Sequence, residues 1–333
     1  MMKKLIYTPL IFCLFVILWA CSSKPEININ LSDKFEDQQV EIISLLDSTI
    51  LASGNVVDGK VSLIPSAGEP VFTSIVIDGK RRAFYITESG TAELTDSMSS
   101  AVGTPLNDKF SELLNTLDSI EQIDDMKLYT DFVAKSYNEN KDNPIGQYFC
   151  IEWIKYADPS IVDSILSSAP QIIQNSKVAK KYQEFAKLRA KTSPGHPYVN
   201  FEGENQNGSS VSLSSFIKPG NYTLVDFWAS WCPYCIRELP EMKNLYEEWH
   251  NKGFEIVGVA VRDVTADTKN AVEKYDISWP VIYNTQRKPY DIYGFSGIPY
   301  HLLIGPDGNI VSTGETISQI NEFLTNTLGE KAK

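Results

Sequence analysis

The chain has 333 residues, long enough for two or three domains rather than one core. Its 43% hydrophobic, 22% charged and 11% aromatic residues make a folded globular composition and exclude disordered and fibrous chains. With 42 acidic against 30 basic residues the formal charge is −12, a surface that repels phosphate backbones and argues against nucleic acid as a partner, and five cysteines are too few for a disulfide-built scaffold.

Lys3 and Lys4 precede an apolar run from Leu5 to Ala20 that is interrupted by Tyr7, Thr8 and Pro9. A spanning helix needs roughly 20 apolar residues, so residues 1–20 read instead as a secretory signal: a basic start and a short apolar segment. The segment closes on Ile17-Leu18-Trp19-Ala20-Cys21, followed by Ser22 and Ser23, and resembles a bacterial lipoprotein box. That resemblance implies lipidation of Cys21, with an uncleaved signal anchor as the alternative. Either way residues 22 onward are exported and held at a membrane, in the cell envelope and facing the periplasm. Ser22 in place of Asp favours the outer membrane over the inner.

Residues 21–100 are expected to form an antiparallel β domain, a sandwich, after a short tether. Val56-Val57 and Val61-Ser62-Leu63-Ile64 flank Asp58-Gly59-Lys60, and Val71 to Ile77 is followed by Asp78-Gly79-Lys80 and Ala83-Phe84-Tyr85-Ile86. Asp-Gly between β-branched and aromatic runs signals a hairpin because both residues tolerate positive φ. Gly54 to Lys60 nearly matches a phosphate-binding loop, but Val61 stands where that motif needs Ser or Thr, so a plain turn is the reading. The stretches "AFYITESGTAEL" and "GTPLNDKFSELL" resemble the β domain of unassigned function that precedes thioredoxin-like domains in exported bacterial lipoproteins.

Residues 101–192 change to a helical period. Phe110, Leu113, Leu114, Leu117 and Ile120 recur at spacings of three and four, as do Ile161, Ile165 and Leu166 after the cap signal Asp158-Pro159. Four or five helices are expected. Cys150, within Tyr148 to Ile154, reads as a buried inert thiol, with a third redox cysteine as the other possibility. Ser193-Pro194-Gly195-His196-Pro197 then breaks the pattern.

Residues 193–333 read as an α/β layered domain. Asn207-Gly208 signals a hairpin; Tyr222 to Ala229 and Phe254 to Val261 are buried parallel strands; Val281 to Tyr283, Leu302 to Ile304 and Ile310-Val311 are further strands; Ile317 to Leu328 is a closing helix. Between the first strand and an amphipathic helix to about Trp249 stands Cys232-Pro233-Tyr234-Cys235. Such a pair could be half of a zinc site, but the remaining Cys and His residues are too scattered to supply the other ligands, so no metal is expected. As a structural disulfide it would close a very small loop and remove little entropy. A redox dithiol fits the context, because a cysteine at a helix N-terminus has its thiolate stabilised by unsatisfied amides and Pro233 suits the first turn.

"YTLVDFWASWCPYCIRELPEMKNLYEEW", "GFEIVGVAV" and "YGFSGIPYHLLIGPDGNIV" together resemble the thioredoxin-like family of membrane-bound disulfide reductases, the TlpA and ResA type. The resemblance implies a thioredoxin-like fold over 193–333 and a redox-active disulfide between Cys232, the exposed attacking residue, and Cys235, the buried resolving one. It implies that Pro299 is a cis-proline facing them, and that Asp226 and Glu238 take the Cys235 proton. Without that role, these would be a core-edge Asp and a solvated helix Glu. Trp231, Pro233, Tyr234, Ile298 and Tyr300 are expected to line the substrate groove, with His301 beside them.

The function implied is an exported thiol–disulfide oxidoreductase without a cofactor, reducing disulfides of exported proteins such as apocytochrome c. Its electrons would come from a membrane donor of the DsbD or CcdA type. Three alternatives stand beside this reading: a disulfide isomerase or oxidase, a binding lipoprotein working through residues 26–190, and a peroxiredoxin. The last would need Thr three residues before Cys232, where Ala229 stands.

Overall fold

The computed structural model describes residues 23–123 and 125–329, so the signal segment and Cys21 lie outside the described residues. The chain divides into two compact units. The first runs to Leu114 except for Leu45–Ser48, and the second takes Leu45–Ser48 and the chain from Asn115. Among the described residues no helix is long and apolar enough to cross a membrane.

The first unit holds β1 (Pro25–Asn30), β2 (Gln39–Ser44), β3 (Ile50–Asn55), β4 (Lys60–Leu63), β5 (Phe72–Ile77), β6 (Lys80–Ile86), β7 (Gly90–Thr95) and the start of α1 (Pro105–Glu121). They form a sheet of order β3-β2-β5-β6 and another of order β4-β1-β7. Side chains two apart point to one face, so Ile27 and Ile29, Val40 and Ile42, Ile75 and Ile77, and Ala92 and Leu94 from both sheets fill a single core. On the other face of the larger sheet, Phe72 and Phe84 meet Phe110 of α1 at 4.7 and 5.8 Å between ring centroids.

Both Asp-Gly pairs form the expected turns. Asp58 and Gly59 have φ of 51° and 69°, and Asp78 and Gly79 have 50° and 69°, as two-residue hairpins require. The second turn joins neighbouring strands, whereas the first carries the chain from one sheet to the other. In the first turn the N–H groups of Asp58 and Gly59 donate to the Glu36 carboxylate at 2.9 and 3.0 Å. The segment that resembles a phosphate loop is therefore a turn whose amides are occupied by the chain's own acid. One expectation is corrected: the unit is not wholly antiparallel, because β1 and β7 pair in parallel. They are its first and last strands, and the long crossover between them supplies the connection a parallel pair needs.

The second unit begins with the end of α1 and continues through α2 (Met126–Asn140), α3 (Pro144–Tyr156), α4 (Pro159–Ser168), α5 (Gln171–Gln174) and α6 (Lys177–Lys191). The Asp158 carboxylate caps α4 by accepting from the Ser160 N–H at 2.8 Å, with Pro159 in the first turn. Its buried face is Val162, Ile165 and Leu166, while Ile161 is exposed, so the apolar stripe lies one residue from where the spacing put it. Cys150, on α3, is unpaired and buried, and burial pushes its thiol up to about 12.

The chain then forms β8 (Glu202–Glu204), β9 (Ser210–Ser212), β10 (Tyr222–Trp228), α7 (Pro233–Trp249), β11 (Phe254–Ala260), α8 (Thr265–Lys274), β12 (Val281–Ile282), α9 (Lys288–Tyr293), β13 (Tyr300–Ile304), β14 (Ile310–Thr313) and α10 (Ile317–Leu328). The Ser193–Pro197 break lies inside this unit. Five strands make one sheet of order β12-β11-β10-β13-β14, with β10 central, parallel to β11 and antiparallel to β13. On one face, Leu224, Trp228, Ile256 and Leu303 pack with Leu239, Met242 and Leu245 of α7 and Ile320 and Leu324 of α10. On the other, Val225, Phe227, Val259, Leu302 and Ile304 pack with Tyr290 and Tyr293 of α9 and with Phe295.

Candidate active site

The central strand β10 ends at Trp228 and the chain turns at once into α7, the Cys232 N–H donating to the Ala229 carbonyl at 3.1 Å. Cys232 is the N-cap: its backbone is extended, its carbonyl accepts from the Ile236 N–H, and its Sγ accepts from the Cys235 N–H at 3.2 Å. Pro233, in the first turn, needs no N–H there. Cys232 and Cys235 are joined in a disulfide, with their Cα atoms 5.3 Å apart. The cap geometry puts a backbone donor and the positive end of a helix of 17 residues at the Cys232 sulfur, the arrangement that stabilises thiolate once the pair is reduced.

The turn is held from the segment that follows β11. The Asp263 carboxylate accepts from the Ser230 N–H at 2.7 Å and the Ser230 hydroxyl at 3.0 Å, and also from the Val264 N–H and the Thr268 hydroxyl, both at 2.9 Å. The Trp231 indole N–H donates to the Arg262 carbonyl at 3.0 Å. These fixings leave Trp231 and Tyr234 with more than half of their surface exposed beside the dithiol, at 54% and 55%. The Arg237 guanidinium lies 4.6 Å from the centre of the Tyr234 ring. Pro233 is exposed between them.

Cys232 itself corrects an expectation: both cysteines are buried, at 3% exposure each, so the attacking residue is not exposed in the disulfide form. The cap turns its sulfur inward onto the Cys235 amide, and the Ile298 carbonyl oxygen lies 3.6 Å from that sulfur. Without a proton on a disulfide sulfur that contact is not a hydrogen bond; in the dithiol the Cys232 S–H can donate across it. The Ile298–Pro299 peptide is cis, and both residues are half-buried at this edge of the site. Tyr300 does not join them. It belongs to the other face of the sheet, where its ring stacks on Phe295 at 4.7 Å, and burial pushes its hydroxyl pKa upward.

Strand alternation puts Asp226 on the same face as Leu224 and Trp228, toward α7, and His301 on the same face as Leu303. Asp226 and His301 are directly opposite in the β10–β13 ladder. Glu238 stands three residues after Cys235 and therefore on the same side of α7. The His301 Nε2 lies 3.6 Å from Asp226 Oδ1 and 3.5 Å from Glu238 Oε2. The two acids singled out in the sequence thus meet at a histidine expected in the groove but buried behind it. Nothing in the sequence marks that meeting, which depends on a strand register linking residues far apart in the chain. Among the described residues no group of three or more His, Cys, Asp or Glu side chains is disposed to hold a metal ion.

Comparison with known families matches residues 194–313 to the AhpC/TSA family. The thiol-disulfide oxidoreductase ResA of Bacillus subtilis is 34% identical over 135 residues, 40% of this chain and 74% of that protein. The ResA of Halalkalibacterium halodurans is 31% identical over 146 residues, 43% of this chain and 82% of its own length. Among solved structures, the thioredoxin domain of a thiol-disulfide oxidoreductase from Bacteroides vulgatus is 29% identical, with a TM-score of 0.38, across 41% of this chain and 98% of that one.

Proposed function

This chain belongs to the ResA-type thiol-disulfide oxidoreductases, and from that premise we propose that it is an exported, membrane-anchored reductant of disulfides in other exported proteins, apocytochrome c among them. The observation that carries the reading is the Cys232–Cys235 disulfide at the N-terminus of α7, flanked by exposed Trp231 and Tyr234.

In the reduced protein, Cys232 thiolate attacks one sulfur of a client disulfide; a Cys232–client bond forms and the client's other sulfur leaves as thiolate. Cys235 then loses its proton to the carboxylates behind it, Asp226 or Glu238. Its sulfur attacks Cys232 Sγ, the client's second sulfur departs, and the pair ends as the Cys232–Cys235 disulfide. Two electrons have passed to the client, which takes up two protons. A membrane dithiol donor of the DsbD or CcdA type returns the pair to the reduced state. Trp231, Pro233, Tyr234 and Ile298 form the rim that receives the client chain, and lipidated Cys21 holds the protein at the envelope membrane, the outer in preference to the inner.

The test is the reduction potential of the pair, measured by equilibration with thiol buffers of known potential. A value near the about −270 mV of thioredoxin is expected for a reductant; one near the about −120 mV of a strong oxidant would replace the reading with an oxidase or isomerase.

A further inference from the structure

His301 is a buried titratable group that takes no part in the thiol–disulfide exchange steps above. It is 4% exposed, and its two ring nitrogens face different chemistry. Nδ1 lies 2.8 Å from the Glu315 carbonyl oxygen, a partner that can only accept, so Nδ1 carries a proton. Nε2 is then the atom that titrates, and it faces Asp226 Oδ1 and Glu238 Oε2 at 3.6 and 3.5 Å. A protonated Nε2 sets a positive charge between two carboxylates; a bare one sets a lone pair against both. The groups facing the ring from the elements around it are Asp226 from β10, Glu238 from α7, and the Glu315 carbonyl from the segment after β14. Burial alone would push the imidazolium down, but Asp226, then Glu238 and the Glu315 carbonyl, override it and hold the ring above its ordinary 6.5.

The consequence follows from how carboxylates share a site. Two of them brought together without a cation cannot both stay ionised, and one holds a proton to a higher pH. A base that already carries a proton cannot take one from Cys235.

We propose that His301 is a positioning residue for the resolving step: its protonated ring keeps Asp226 and Glu238 ionised together, so that the three side chains accept the Cys235 proton as one unit. The inference rests on the oxidoreductase reading and adds to it the residue that readies the base. In the step itself, the S–H bond of Cys235 breaks and its proton passes to a carboxylate of the unit. The Cys235–Cys232 bond forms as the Cys232–client bond breaks, with no reactant beyond those already named. The apparent pKa of the step belongs to the cluster and not to either acid.

The test uses the full chain. Reduced protein reacts with an aromatic disulfide reagent whose thiolate is coloured. The first thiolate released reports attack by Cys232, and the second reports resolution by Cys235, followed across pH. His301→Asn keeps a donor for the Glu315 carbonyl and removes Nε2. It is expected to move the midpoint of the second release up by about one pH unit or more and slow it about 10-fold at neutral pH, leaving the first release little changed. Adding Asp226→Asn to that variant leaves a single carboxylate and should move the midpoint back. A His301→Asn profile that superimposes on the wild type overturns the proposal. Should His301→Asn fail to fold, ring resonances of His301 in the wild-type protein decide: different titration midpoints in the disulfide and dithiol forms support the unit, and identical midpoints overturn it. A wild-type chain that gives no second release removes the oxidoreductase reading, and this inference with it.

Discussion

The carboxylate of Asp263, in the segment between β11 and α8, accepts both the N–H and the hydroxyl of Ser230, two residues before Cys232. A side chain from the loop after β11 therefore sets the backbone of the turn that presents the dithiol. Asp263 is itself buried, at 7% exposure, and Ser230 is half-buried, so removing the acid takes a charged acceptor from partly buried donors. Asp263→Ala is expected to destabilise the fold by about 2–3 kcal/mol, since it strands donors to a charged acceptor. Denaturant unfolding of the oxidised protein measures this, and an unchanged midpoint would show that the turn is held by other means.

Resolution and attack should separate by mutation. Cys235→Ser leaves the capped Cys232 able to attack but removes the group that releases the client. It should accumulate a mixed disulfide that a small thiol reductant cleaves, visible as an added mass. Cys232→Ser should accumulate none. Equal trapping by both variants would mean that Cys232 is not the attacking residue.

The helical layer touches the loop that carries Pro299. Arg189 of α6 donates to the Gly294 carbonyl at 3.1 Å, and Gly294, with φ of 67°, sits so close to α6 that a Cβ would collide with the Phe185 carbonyl oxygen. Gly294→Ala therefore combines a left-handed backbone with a backbone collision and should cost more than about 2 kcal/mol. Arg189→Ala is the milder probe and should slow disulfide reduction by shifting the loop. If both variants match the wild type in unfolding midpoint and turnover, α6 does not brace that loop.

Cys150 gives a control within the same molecule. A thiol pushed up to about 12 stays protonated at neutral pH, so alkylation of the reduced, folded chain should reach Cys232 well before Cys150. Labelling of Cys150 should track global unfolding. Rapid labelling under native conditions would place it near the surface.

The His301 ring also carries a stability signature. Its folded pKa lies above its ordinary 6.5. Its ion pairing therefore contributes fully below that value and is lost as the pH rises through the folded value. The wild-type unfolding free energy should fall over that window relative to His301→Asn. Parallel curves for the two proteins would contradict a protonated ring.

Local chemistry in the sequence carried much of the architecture. The two Asp-Gly pairs name their own turns because both central residues must take positive φ, and Asp158-Pro159 names a helix start because one supplies an acceptor and the other needs no donor. The strand before Cys232 is legible as a buried run. What resisted reading depended on partners distant in the chain. The β1–β7 pairing links the ends of a unit, the burial of Cys232 depends on Ile298 from another loop, and α9, a short helix from Lys288, has too few residues to show a period. The meeting of Asp226 with His301 is of the same kind: the acid is visible from its place before the cysteines and the histidine from its place after Pro299, but their pairing only from strand register.

That register has a further implication for how this protein can vary. Along β13, Tyr300 turns away from α7 and His301 turns toward it, so the second position after Pro299 is where the strand first addresses the space behind the dithiol. A one-residue insertion between Pro299 and Tyr300 would shift both, sending a phenol behind the cysteines and an imidazole among the aromatics of the far face. A substitution at that single position alters the polarity behind the cysteines and leaves untouched the surface that a client meets. In the proposed reaction, proton affinity and client choice therefore sit on opposite sides of the disulfide, and each can drift without the other.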